Sequence, residues 1–211
     1  LTLDPFKNHD NMWLKGIHLG GAMSWGQPEL ALAGGGPTTA AGTQIFAYNA
    51  GVITEEERTR WGFEGAWHVG PFGVSAEWME LLEDLGNPQS AGNNDGRGRI
   101  YGWYATANYF ITGEDTSFGR VYPNDPFDPM GDDKGWGAFE LFTRVGALGT
   151  NEDTENFITG ADRALQVMTG VNWYLNSAVR VSLDYQYTDF GDPIGGERDE
   201  DSILFRMQIM F

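Results

Sequence analysis

The chain has no cysteine, so it carries neither a disulfide framework nor a thiolate metal site, while the compartment stays open because many periplasmic and outer-membrane chains also lack cysteine. It is short of basic residues: 13 Lys and Arg stand against 30 Asp and Glu, a formal charge of −17. That balance speaks against nucleic-acid binding, which needs Lys and Arg on phosphates. Long hydrophobic runs are missing as well, and no stretch approaches the ~18 to 20 apolar residues of a transmembrane helix. The negative mean hydropathy still does not mean a soluble protein. In a membrane β-barrel only alternate residues face lipid, so the average is weak. The opening Leu1-Thr2-Leu3-Asp4-Pro5 shows no initiator Met, basic n-region or apolar h-region, as expected of a mature protein or a fragment.

What is present is 14% aromatic residues and 30 Gly, a composition of β structure rich in turns. Val179, Val181, Leu183, Tyr185 and Tyr187 share one parity, while Arg180, Ser182, Asp184, Gln186 and Thr188 share the other. The stretch before it alternates too, with Leu165, Val167, Val171, Trp173 and Leu175 against Gln166, Gly170, Asn172 and Tyr174, and Asn176-Ser177 makes a tight turn between them. This is a hairpin whose strands match the ~9 to 11 residues that a tilted strand needs to cross a bilayer. Met12 to Ser24, Thr43 to Tyr48, Arg60 to Gly70, Phe72 to Leu82, Arg99 to Thr112, Trp136 to Leu148 and Ser202 to Phe211 bring the expected count to about nine. No segment of ten residues keeps an apolar 3.6-residue stripe with caps, so essentially no helix is expected. Trp61, Trp67, Trp78, Tyr101, Tyr109, Trp173, Tyr185 and Tyr187 fall on the apolar parity of their strands, as aromatic girdles at two membrane interfaces do. The competing reading is the core of a soluble β-sandwich.

In the last strand Ile203, Phe205, Met207, Ile209 and Phe211 alternate with Leu204, Arg206, Gln208 and Met210. An aromatic terminus on the apolar parity resembles the β-signal read by the outer-membrane assembly machinery. With Phe211 placed at the periplasmic end, strand directions alternate backwards from it. Asn176-Ser177 and Gly70-Pro71 become periplasmic turns, and Asn49 to Thr59, Glu83 to Gly98, Gly149 to Asp162 and Phe190 to Asp201 become longer external loops. Gly113 to Lys134 is long yet periplasmic, so it is expected to fold into the lumen and narrow the pore. Trp25 to Gly42 is a smaller exception of the same kind.

Pro5-Phe6-Lys7-Asn8, Gly70-Pro71-Phe72-Gly73, Gly102-Trp103-Tyr104 through Tyr109-Phe110-Ile111-Thr112-Gly113-Glu114, Ser117-Phe118-Gly119-Arg120-Val121 and Gly135-Trp136-Gly137-Ala138-Phe139-Glu140-Leu141 resemble, in order and spacing, the phosphate-selective porin family (porins O and P). The resemblance covers nearly the whole chain but only the C-terminal half of the family's barrel. It implies an all-β transmembrane antiparallel barrel of sixteen strands, of which residues 1–211 are the C-terminal portion and about seven strands are absent. It also implies a trimeric outer-membrane pore that passes small anions, with partners in lipid and lipopolysaccharide. The family's anion constriction is built largely from the absent half, so no binding site transfers residue by residue.

By parity the pore-lining residues are Arg60, Arg144, Arg180 and Arg206 with Glu64, Glu77, Glu140 and Asp184, and Arg120 joins them from the Gly113 to Lys134 connection. Rings of charge in a pore decide which ions it favours. The same groups could instead pair across strands and only stabilise the sheet. His9, His18 and His68 lack zinc-site spacing, and no nucleophile motif accompanies them, so neither enzyme, metal site nor cofactor is expected. Glu55-Glu56-Glu57, Glu152-Asp153-Thr154-Glu155 and Asp199-Glu200-Asp201 fit no EF-hand pattern and read as solvated loop tips. The expected function is a porin for small hydrophilic solutes. The alternatives are an outer-membrane adhesion protein using its barrel as an anchor and an acidic carbohydrate-binding sandwich.

Overall fold

Alternating parity over long segments folds here into one antiparallel meander. The computed structural model describes residues 1–89, 94–131 and 134–210. In chain order its elements are β1 (Thr2–Leu3), α1 (Met12–Lys15), β2 (Ile17–Gly26), β3 (Leu30–Ala31), β4 (Phe46–Tyr48), β5 (Ile53–Val69), β6 (Phe72–Asn87), β7 (Asn94–Phe110), β8 (Ala138–Thr150), α2 (Glu152–Glu155), β9 (Ile158–Gly160), β10 (Arg163–Tyr174), β11 (Val179–Ile194) and β12 (Glu197–Ile209). The main sheet runs β1-β2-β5-β6-β7-β8-β10-β11-β12, with β3 also on β5. Eight of its strands hold 10 to 17 residues, enough to cross a bilayer, and β5 to β7 are long enough to continue beyond it. Among the described residues helix is confined to two four-residue turns. Among the described residues the two outer edges of the sheet do not pair with each other.

Four expectations change. Thr43 to Tyr48 is not a wall strand: only Phe46–Tyr48 is extended, and it pairs with Ile158–Gly160 of another loop. The first wall strand starts at Ile17, because Asn11 caps a helical turn at Met12 through its side chain and Gly16 ends it. With one strand fewer, β2 pairs directly with β5, Ile17 opposite Trp67 and Gly26 opposite Arg58, so its direction reverses. Trp25 to Gly42 therefore lies at the same end of the sheet as the loops expected to be external, and within that expectation its exception to the loop-length rule disappears. The external loops also shorten. β6 and β7 stay paired up to Asn87 and Asn94, and β11 and β12 meet at Gly195-Gly196, where both φ angles are positive (63° and 95°), a backbone that glycine adopts without steric cost in a two-residue hairpin. Phe211 lies outside the described residues.

Because directly paired residues share a face, the register sorts the whole sheet. One face carries Leu19, Phe63, Trp78, Trp103, Leu183 and Phe205, and the other Arg60, Glu77, Arg144, Ser182 and Gln186. Burial is inverted relative to a soluble sandwich. Ile203, Phe205 and Met207 are 74%, 71% and 58% exposed, whereas Ser182, Gln186 and Thr188 are 8%, 3% and 2%. Trp78 stacks on Tyr101 at 5.6 Å toward one end of the apolar face. At the other end Trp67 and Trp173 donate their Nε1–H to the Trp13 and Trp136 carbonyls, both at 2.7 Å. The Trp67 and Trp173 rings thus satisfy a polar edge while presenting an apolar body, the arrangement suited to a membrane interface, whereas the buried Trp78 Nε1 finds no partner among the described residues.

Candidate polar face and its two mouths

The register places Arg60, Glu64, Glu77, Glu140, Arg144, Arg180, Asp184 and Arg206 on the polar face, as their parity predicts. Arg60 is exposed near the middle of β5, and Glu64 lies directly opposite Glu77. The buried Glu140 carboxylate accepts from Asn108 Nδ2 (2.8 Å), Asn172 Nδ2 (2.9 Å) and the Tyr174 hydroxyl (2.8 Å). It is a structural node rather than an open charge. Arg144 lies over the Tyr104 ring at 3.6 Å, a cation–π contact that leaves its N–H groups available. Arg180 donates to Gln208 Oε1 at 2.7 Å and sits beside Tyr174, while its buried Nε has no partner. Asp184 accepts from Gln186 Nε2 at 2.9 Å, and Arg206 stands opposite Ser182. Among the described residues, none of Arg60, Arg144, Arg180 and Arg206 pairs with a carboxylate; the ion pairs are His18 with Asp4 and Glu64, Arg58 with Glu83, and Arg99 with Glu80. Cross-strand neutralisation thus does not consume the four arginines.

The outer end of the polar face is covered. Residues 27–52 and 151–162 join through β4 and β9, and Ile45, Phe46, Tyr48, Val52, Phe157 and Ile158 bury together against Leu85, Ala164 and Phe190 of the wall. Thr43 reaches as far as Glu200 of β12 by a hydrogen bond. One loop leaving β2 therefore touches β6, β10, β11 and β12, which requires the sheet to curl with its polar face inward. A buried clamp fixes this strap. Arg58 donates from Nε and Nη2 to Glu83 Oε2 at 2.8 and 2.6 Å, and the Tyr48 hydroxyl donates to Glu83 Oε1 at 2.5 Å. Burial, then the Glu83 carboxylate, pushes the Tyr48 phenol above its ordinary value. Arg58, Glu83 and Tyr48 are absent from the sequence-derived set. Their signal was the apolar island Ile45-Phe46-Ala47-Tyr48 within a polar, Gly-rich stretch, which parity alone reads as a short strand.

The opposite end is crossed by residues 111–131 and 134–137. Thr116 donates its backbone N–H to the Gly70 carbonyl (2.8 Å) and its hydroxyl to that of Phe72 (3.1 Å), and Phe127 N–H bonds Leu175 O at 2.7 Å. Phe118 sits between His18 and His68, ring centroids 4.8 and 4.6 Å away, and Val121 packs on Phe110, Ala138 and Tyr174. His18, His68, Phe110 and Tyr174 all carry the parity of the polar face. Arg120, beside these contacts, is exposed.

Comparison with known proteins agrees with this geometry. The phosphate-selective porin O and P family matches residues 22–211. Porin O of Pseudomonas aeruginosa is 32% identical over 159 residues, 72% of this chain and 35% of that protein, so the chain spans about a third of the relative it matches. An outer-membrane location goes with this relationship and with the inverted burial. The chain belongs to the phosphate-selective porin O and P family.

Proposed function

We propose that this sheet is the C-terminal portion of a larger outer-membrane barrel and lines a pore for passive diffusion of small hydrophilic solutes, phosphate-like anions among them. The observation that carries the reading is the set of four polar-face arginines that have no carboxylate partner among the described residues, on a sheet whose other face is exposed and apolar. Eight long strands supply half of a sixteen-stranded wall, wide enough for a water channel. The strap of residues 27–52 narrows the outer mouth, and residues 111–137, with Arg120, narrow the periplasmic one. Small-anion preference rests on those cations acting in a confined, water-poor space. Glu64, Glu77 and Asp184 on the same face temper it. Lipid and lipopolysaccharide surround the apolar face, and a homotrimer is the expected assembly. The adhesion alternative finds no support in the family relationship.

Conductance of the purified full-length protein in planar bilayers tests the reading. Expected are open channels whose reversal potential in a salt gradient shifts toward the anion, and a smaller shift after Arg144→Ala with Arg206→Ala. A sheet that inserts but conducts nothing would overturn it.

A further inference from the structure

The polar face is not polar throughout. Between Arg60 toward the outer end and the Glu64–Glu77 pair toward the periplasmic end lies a hollow of about 530 Å³, its floor formed by Met79, Leu81 and Ile100. These three residues share the parity of Arg60 and Glu77: Leu81 is opposite Arg60 and Ile100, and Met79 is opposite Gly62 and Gly102. The two glycines withhold side chains and leave the floor open. Met79 is 48% exposed and Leu81 half-buried, while Ile100 continues the floor into the apolar cluster of the strap; apolar surface on the wetted side of a barrel wall is costly to leave uncovered, and this one sits between separated charges of opposite sign. Arg60 has no carboxylate partner and Glu77 no cationic one among the described residues, while Glu64 has His18 Nε2 at 3.6 Å.

We propose that this hollow is a binding subsite for short zwitterionic peptides with apolar side chains. The inference rests on the pore reading above and names a solute class for it. Arg60 and Glu64 are four residues apart on one strand, ~13 Å at the rise of an extended chain. An extended tripeptide separates its ammonium and carboxylate by about 10 Å, and the two flexible side chains close the difference. The solute carboxylate meets the Arg60 guanidinium, its ammonium meets Glu64 and Glu77, and its side chains lie on Met79, Leu81 and Ile100. Inorganic anions gain only the first contact. A peptide without apolar side chains gains only the two ends.

Current interruptions in single channels of the full-length protein, with trileucine, triglycine or N-acetyl-trileucine added, test the assignment. Trileucine is expected to reside on the order of tenfold longer than triglycine, as for a modest apolar contact, and acetylation of its ammonium shortens its stay. Met79→Ser with Leu81→Ser removes the advantage of trileucine, whereas Arg60→Ala shortens the residence of both peptides. If the double variant does not insert, Ile100→Ser alone serves, with Ile100→Val expected to keep the advantage. A conducting channel that holds trileucine and triglycine equally long, or keeps their difference in the serine variants, overturns the subsite and leaves the pore intact. Full residence of N-acetyl-trileucine overturns the dipolar occupant. Absence of any conductance overturns pore and subsite together.

Discussion

The two connections that cross the ends of the polar face are of similar length but are held by different forces. The external strap is fixed by apolar burial and a charge clamp: Phe46 is 1% exposed, Val52 0% and Glu83 1%. The connection at the opposite end is held mostly by hydrogen bonds, from backbone N–H groups to turn carbonyls and through the buried Glu114 and Thr116, with Phe118 left 66% exposed. Buried apolar area scales with stabilisation, and each hydrogen bond contributes only about 1 kcal/mol net. The strap should therefore behave as part of the wall, and the periplasmic connection as a segment that opens at little cost.

The largest effect is expected from Phe46→Ala, which removes a fully buried ring and costs about 3 to 5 kcal/mol; hydrogen exchange of strap amides should accelerate while β10 to β12 stay protected. Arg58→Ala leaves Glu83 buried without its cation, at about 3 kcal/mol. Arg58→Met with Glu83→Leu is expected to recover most of that loss in a denaturant series. Tyr48→Phe costs about 1 kcal/mol and changes a pH dependence. A phenol whose folded value is raised gives its full stabilisation below the unfolded value of about 10 and loses it as pH rises toward the folded one. The parent strap should loosen above about pH 10, and the phenylalanine variant should lack that step in exchange. Smallest is Phe118→Ala, within about 1 kcal/mol on thermal melting, yet residues 111–137 should become quicker to cleave by protease. If Phe118→Ala matched Phe46→Ala in cost, the contrast between the two ends would be lost.

Parity explains what the sequence made legible. From Val179 to Tyr187 and from Ile203 to Ile209 every second side chain is apolar, and the same alternation, carried back through β8, β6 and β5, placed the eight strand-borne charged candidates on the polar face, where the register puts them. The strap was not legible, because Ile45-Phe46-Ala47-Tyr48 reports burial without reporting its partner. That partner, Phe157-Ile158, lies more than a hundred residues away. Reading the island as a wall strand reversed β2 and moved one loop to the other end of the sheet. The Arg58–Glu83 clamp was hidden for a related reason: both residues lie in segments that looked like loop, and a bulge between Thr54 and Arg58 shifts the register there. Ion pairing was also not readable. Parity put Arg60, Arg144, Arg180 and Arg206 on one face with carboxylates, and only geometry shows that Glu140 is satisfied by Asn108, Asn172 and Tyr174 while, among the described residues, the arginines pair with no carboxylate.

The central claim is that the polar face meets water and the apolar face meets lipid. The chain has no cysteine, so single cysteines at consecutive positions of β11 and β12, replacing Leu183, Asp184, Phe205 and Arg206, can be probed in intact membranes with a membrane-impermeant thiol reagent. Labelling of Asp184→Cys and Arg206→Cys but not of Leu183→Cys and Phe205→Cys is the predicted result. Labelling that ignores this alternation would contradict the account.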